Sequence, residues 1–478
     1  MKKFIIILIC FLQMQNIQSD SVKNITEGCN PDIKDRGENT FLTFYGDSLG
    51  DLVDLPTHGL VGWDAYLGFF RPDFDPLGWR IQNFAVIGWT TRSIYNALKE
   101  CLKSKEARKE FKMSNTIAME IGGNDMVNYT PLLIFMPWKY WTYRDPTTNK
   151  DVKGVVDVVI YNIKVLIYFF RHPLIDKNVL VMGNFPSLSY SPTLGHVGDY
   201  FSAFQHMTDI FYQKWTETVP PLNIQRDDQF ENAQIQKELT IDIWKKLLEI
   251  IGSPANLIED LFGPQFTTKF VHFLEEVIPK KEKIPDAIEP FQTNAPDWYF
   301  KWVYHTYRNP TTAISFGLYL MQPGLESLAM DLREKTRNWD RTFTYKEDNT
   351  QTYTAQNRKG GDYVHFLPLY HTLVRKYDCS AYLYCWVGQP MYYRDATPGH
   401  INHFGYYVWA NALSQKIEDL GWHNDRDLRF GGAPQDPGFE MPIEPEDEKG
   451  NKLGTETLET TDIDFMLLLC FFFGSCHF

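Results

Sequence analysis

Two separated stretches of this chain alternate apolar runs of strand length with amphipathic helical patterns, and that alternation narrows the fold more than any other feature. The first covers roughly residues 41–190. It holds "FLTFY", "IQNFAVIG" and "TIAMEIGGND", with the helical "RSIYNALKECL" between the second and third. "VVDVVIYNIKVLIYFF" then reads as a helix leading into the apolar strand "NVLVMGNFP". Apolar strands separated by helices predict a parallel sheet covered on both faces. The second stretch spans 361–421, with "CSAYLYCWV" as a strand and "HFGYYVWANALSQKIEDLG" as a helix. In that helix Phe404, Val408 and Ala412 form one row, with Tyr406, Ala410, Leu413, Ile417 and Leu420 beside it. Gly421 falls where a helix-ending glycine belongs.

Residues 191–359 between the two stretches have a different character. "QIQKELTIDIWKKLLEII" repeats apolar residues at Ile235, Leu239, Ile243 and Leu247, and "FTTKFVHFLEEVI" does so at Phe266, Phe270 and Leu274. This is the spacing of a mainly helical, aromatic-rich insertion. Its aromatics Trp298, Tyr299, Phe300 and Trp302 read as core rather than as a substrate platform. Residues 424–478 form a polar, acidic tail of flexible composition, closed by the apolar "FMLLLCFFF". That last run is too short to span a bilayer.

Lys2 and Lys3 precede the apolar "FIIILICFL", and "NIQS" ends on a small residue. Residues 1–19 therefore read as a signal peptide, which predicts a secreted or periplasmic protein. Six cysteines lie beyond the signal, in a compartment that permits disulfides, though their pairing cannot be read from the sequence. A formal net charge of −13 disfavours nucleic acid as a partner and gives no attraction to anionic membranes. With 44% hydrophobic and 15% aromatic residues the chain has material for a sizeable core.

"FLTFYGDSLGD" sets a serine directly after the first strand. A serine is a weak nucleophile unless a base and an oxyanion site stand close by. Ser48, Gly88 and Asn124 each follow a predicted strand end, and in open parallel sheets ligands sit beyond the carboxyl ends of the strands. Gly88 offers a backbone N–H with no Cβ in the way, and Asn124 offers a side-chain amide to the same oxygen. "RDATPGHINHFGYYVWA" supplies His400 just before the last helix, with Asp395 five residues earlier to orient the imidazole.

"GDSLGD", "NFAVIGWTT", "IGGND" and "DATPGHINHFGY" fall in the order of the four blocks of the SGNH (GDSL) hydrolase family. The resemblance covers both outer stretches and not the insertion. It implies a flavodoxin-like three-layer α/β/α sandwich with a parallel sheet. It implies hydrolysis of carboxylic esters, in the manner of esterases and lipases, through an acyl-serine and with no metal or cofactor. Ser48 would be the nucleophile and His400 the base, and Ser48, Gly88 and Asn124 the oxyanion donors. One departure stands out: the family's acid is three residues before the histidine, where this chain has Thr397, so Asp395 is displaced by two residues. His403 competes as the base, but the spacing of "HINHFGY" matches the family through His400.

"GDSLG" also fits the G-x-S-x-G elbow of α/β-hydrolases, but that elbow follows several strands and takes its acid and histidine from separate loops. His400, His403 and Asp395 lack a further cluster to complete a metal site. The substrates left open are lipid esters, acetylated glycans and small soluble esters, with peripheral membrane contact as an accompanying expectation. The rival from another class is a non-catalytic lipid- or glycan-binding protein on the same fold.

Overall fold

The computed structural model describes residues 32–35, 40–51, 63–67, 79–104, 111, 114–144, 149–184, 311–344, 352–358, 362–370, 400–401, 403–424 and 444–458. The first half of the chain contributes β1 (Asp32–Asp35), β2 (Thr40–Gly46), α1 (Ser48–Asp51), α2 (Trp63–Ala65), β3 (Trp79–Asn83), α3 (Thr91–Cys101), β4 (Thr116–Glu120) and α4 (Gly123–Phe135). A short β5–β6 ribbon (Tyr143–Arg144, Asp151–Val152), α5 (Val155–Arg171) and β7 (Asn178–Met182) follow. Beyond them lie α6 (Thr311–Thr336), β8 (Asp340–Thr344), β9 (Thr352–Gln356), β10 (Val364–Leu367) and α7 (His403–Asp419).

Among the described residues the main sheet has the order β1-β3-β2-β4-β7-β10. β1 pairs antiparallel with β3, and every other neighbour pair is parallel. Numbered by chain position, the five parallel strands stand 2-1-3-4-5, the flavodoxin-like doubly wound order. Its switch point falls at β2, where the chain first steps to β3 and later crosses back to β4. Ser48 begins the turn that leaves this strand.

The strands alternate between two cores, as a sheet covered on both faces requires. Ile117, Met119, Val179 and Val181 face the layer of α3, α4, α5 and α6. Ala118, Leu180, Met182 and Phe44 face Trp63 and the buried side of α7. That side consists of Tyr406, Trp409, Ala410, Leu413 and Ile417, while Val408 and Ala412 are only partly buried. The second predicted row is thus the deeper one, with Trp409 added. α7 closes at Gly421, whose φ of +70° suits a helix-ending glycine.

α6 lies inside 191–359 yet packs against α4, α5 and β10. It belongs to the crossover that a parallel β7–β10 pair requires. The fifth parallel strand is "VHFL", while "CSAYLYCWV", Asp395, the signal peptide and the apolar C-terminal run lie outside the described residues. Within the expected flexible tail, residues 444–458 lie seated as a strap. Glu446 pairs with Arg341, Lys153 with Glu456, and Leu458 is buried in the core. Among the described residues no helix is long and apolar enough to cross a membrane.

Packing accounts for the two glycines of "GDSLG". A Cβ on Gly46 would stand 2.5 Å from the Phe44 ring and 3.0 Å from the Glu120 carbonyl. One on Gly50 would strike the same ring and come within 2.8 Å of the Ala85 Cβ. Phe44 cannot swing aside, because Trp63 and Trp409 stand 4.7 and 5.6 Å from it, centroid to centroid. Gly50→Ala is therefore expected to destabilise the fold by about 1–3 kcal/mol through overpacking. A melting temperature equal to that of the unsubstituted chain would show that the ring yields.

Candidate active site

Ser48 and His400 come together from opposite ends of the chain. Ser48 Oγ lies 2.9 Å from His400 Nε2, so in the tautomer that leaves Nε2 unprotonated the hydroxyl donates to it. Two tethers bring the elements into place. The Tyr406 hydroxyl, on the first turns of α7, donates to the Leu49 carbonyl at 2.8 Å. Asp47 holds the serine turn from below, accepting the Leu49 N–H on Oδ1 at 3.0 Å. Its carboxyl also accepts the backbone N–H of Asn124, which joins the serine turn to the start of α4.

Asn124 stands in the first turn of α4, and its Nδ2 donates to the Trp89 carbonyl at 2.9 Å. A primary amide carries two hydrogens, so one such bond leaves a second donor on the same nitrogen. Trp89 directly follows Gly88, so the same bond ties Asn124 to the turn that carries Gly88. That turn is closed by Trp89 N–H donating to the Val86 carbonyl at 3.2 Å. Gly88 has φ +84° and open space where a Cβ would stand. Backbone conformation, rather than close approach, is thus the reason for glycine here. Asp51 accepts the Ile87 N–H at 2.9 Å and Asn83 donates to the Gly50 carbonyl at 2.9 Å, fixing this loop to α1. Exposed apolar side chains flank both positions: Ile87 beside Gly88, and Val127 one turn beyond Asn124.

Asp395 lies outside the described residues. His403 is the first residue of α7.

Beneath the serine turn sits a group of buried acids that the motif reading passed over. Burial, and then the charge of Asp125, push the Asp47 carboxyl up to about 7, against the pull of its backbone N–H bonds. Burial likewise raises Asp125 to about 6, although Thr91 donates to it twice. Glu120, at the end of β4, is pushed well above the carboxylate range by burial first and by Asp47 second. Asn184 donates to its Oε1 at 2.6 Å. A glutamate inside the apolar run "TIAMEI" was the available signal, since an acid in a buried strand demands an explanation.

A carboxyl whose folded pKa is raised holds its proton longer in the native state than in the unfolded chain. The stability tied to that proton is present below about pH 4.3, the ordinary glutamate value, and is lost as pH rises toward the folded pKa. Glu120→Gln keeps the shape and removes the titration. The variant is expected to melt close to the unsubstituted chain at pH 5 and above it at pH 8. Parallel melting curves at the two pH values would refute the raised carboxyl.

No family model matches this chain, and no curated protein matches it. Among solved structures it is similar to Axe2, an acetylxylan esterase from Geobacillus stearothermophilus, at 23% identity and a TM-score of 0.23. That match covers 32% of this chain and 64% of the esterase. It is similar also to a GDSL-like lipase from Parabacteroides merdae, at 13% identity and a TM-score of 0.22, over 44% of this chain and 95% of that one.

Proposed function

We propose that this chain is an exported serine ester hydrolase of the SGNH type that works through an acyl-serine intermediate. The observation that carries the reading is the 2.9 Å approach of Ser48 Oγ to His400 Nε2, between residues 352 positions apart. In the proposed reaction His400 takes the Ser48 proton as Oγ attacks the ester carbonyl carbon. The oxyanion is met by the N–H groups of Ser48 and Gly88 and by the Asn124 amide hydrogen not used on Trp89. Collapse expels the alcohol oxygen, which His400 protonates, and leaves the acyl group on Ser48. Water then attacks, gives its proton to His400, and releases the acid while Ser48 recovers its hydrogen. Asp395 is assigned to the second imidazole nitrogen, where a carboxylate holds the ring and stabilises the imidazolium.

Export is supported by the reading of residues 1–19 and by Cys101, which is disulfide-bonded. The test is labelling of the purified chain with a fluorophosphonate, followed by mapping of the adduct. An adduct on Ser48 is expected. A lipid- or glycan-binding protein on the same fold gives none, and that result would overturn the proposal. For the substrate class, a hydrolysis screen should compare lipid esters of graded chain length, acetylated glycans and small soluble esters.

A further inference from the structure

α5 is apolar on almost every buried position, yet Asn162 sits in its middle and is 1% exposed. Burying an amide is costly unless it is hydrogen-bonded. Its bonds instead reach two distant segments. Nδ2 donates to Thr91 Oγ1 and to the Glu456 carbonyl, both at 3.1 Å. Oδ1 accepts the Glu456 N–H at 2.7 Å. Thr91 in turn donates its hydroxyl and its backbone N–H to the two oxygens of Asp125, each at 2.9 Å. Asp125 is the neighbour of Asn124, whose amide holds the carbonyl next to Gly88. Hydrogen bonds therefore run from the 444–458 strap through Asn162 and Thr91 to Asp125, and the chain itself makes the last step, to Asn124. The strap has a second foothold, on α4: Leu458 N–H donates to the Tyr129 hydroxyl, one turn beyond Asp125, at 3.3 Å.

We infer that Asn162 is a positioning residue for the oxyanion site, acting through Thr91 and Asp125 to fix the spacing of Gly88 and Asn124, with the 444–458 strap as its outer support. The inference rests on the ester-hydrolase reading. Thr91 begins α3 just after the Gly88 turn, and Asp125 follows Asn124 in the first turn of α4. Their bond is the brace between the two elements that supply the donors. Asn162 fixes the Thr91 hydroxyl from behind, so that its hydrogen stays directed at Asp125.

The experiment uses the full chain as Asn162→Ala, Thr91→Val, the double variant and Thr91→Ser. Each is titrated with a fluorophosphonate to count folded sites, and kcat and KM for one soluble ester are expressed per titrated site. Loosened oxyanion donors act on the transition state, so kcat should fall on the order of tenfold in each single variant while KM holds. The double variant should be no worse than the worse single one, because both cut the same path. Thr91→Ser, which keeps the hydroxyl, should restore the rate. A per-site kcat within about twofold of the unsubstituted chain, with only the melting temperature lowered, would make Asn162 a purely structural residue and overturn the inference. Fully multiplicative losses in the double variant would do the same. If the unsubstituted chain neither labels nor hydrolyses esters, the proposed function fails instead. Amide exchange over residues 123–126 then decides the path by itself: faster exchange in Asn162→Ala supports it and unchanged exchange overturns it.

Discussion

Ser48→Ala is expected to lose ester hydrolysis by about 10⁴-fold or more and to take no fluorophosphonate label, while melting within a few degrees of the unsubstituted chain. The size of the loss follows from the role proposed for the hydroxyl. Without it no acyl-enzyme forms, and only binding and the oxyanion donors remain to assist direct attack by water. The small effect on stability follows from the geometry. Ser48 is only partly buried, and the hydroxyl's bond to His400 is part-buried as well. Such a bond contributes about 1 kcal/mol. The turn itself is held by its neighbours, through Asp47 on the Leu49 N–H and Tyr406 on the Leu49 carbonyl. Measuring kcat/KM on a soluble ester, labelling and thermal unfolding together separates chemistry from folding. A variant that keeps more than about 1% of the rate would show that Ser48 is not the nucleophile.

The parallel sheet was legible because its strands are buried on both faces and so read as continuous apolar runs. β2, β4, α3, α5, β7 and α7 fall on segments singled out by periodicity alone. β10 escaped because it has four residues and only its two ends are buried, which gives no pattern to read. α6 escaped for a different reason. An amphipathic helix shows that it has a partner, not which partner, so a crossover helix and an insertion helix look the same in sequence. The 444–458 strap was misleading in composition: its acids are satisfied by Arg341, Lys153 and backbone N–H groups of its own turn rather than by water alone. At the candidate site the four short motifs carried Ser48, Gly88, Asn124 and His400, since each falls at a strand end or helix start where a doubly wound sheet gathers its loops. The supporting residues were less visible. Tyr406, Thr91 and Asn162 make their hydrogen bonds to segments tens to hundreds of residues away, and no local spacing encodes such bonds.

The displaced acid yields the second large effect. In the proposed mechanism His400 accepts and returns a proton in both half-reactions, so no bound water can take over its task without losing position and basicity. Asp395 only orients and polarises the ring, and it stands two residues nearer the N-terminus than the family's spacing, with Thr397 at the usual place. A backbone carbonyl or a water can substitute in part for an orienting acceptor, whereas the base itself must take and return the proton. Activity should therefore rank from the unsubstituted chain through Asp395→Ala to His400→Ala, with His403→Ala close to the unsubstituted chain. The gap between the Asp395 and His400 variants should be at least about tenfold, or roughly 1.4 kcal/mol of transition-state stabilisation. The 2.9 Å contact belongs to His400 Nε2, and His403 already begins the helix, which is the structural reason for expecting little from His403. The deciding measurement is kcat/KM for the three variants on one soluble ester near pH 8. A dead His403→Ala beside an active His400→Ala would assign the base to the wrong histidine. An Asp395→Ala as inactive as His400→Ala would show instead that the two-residue displacement is fully absorbed by the loop and that the carboxylate is as necessary as the ring it orients.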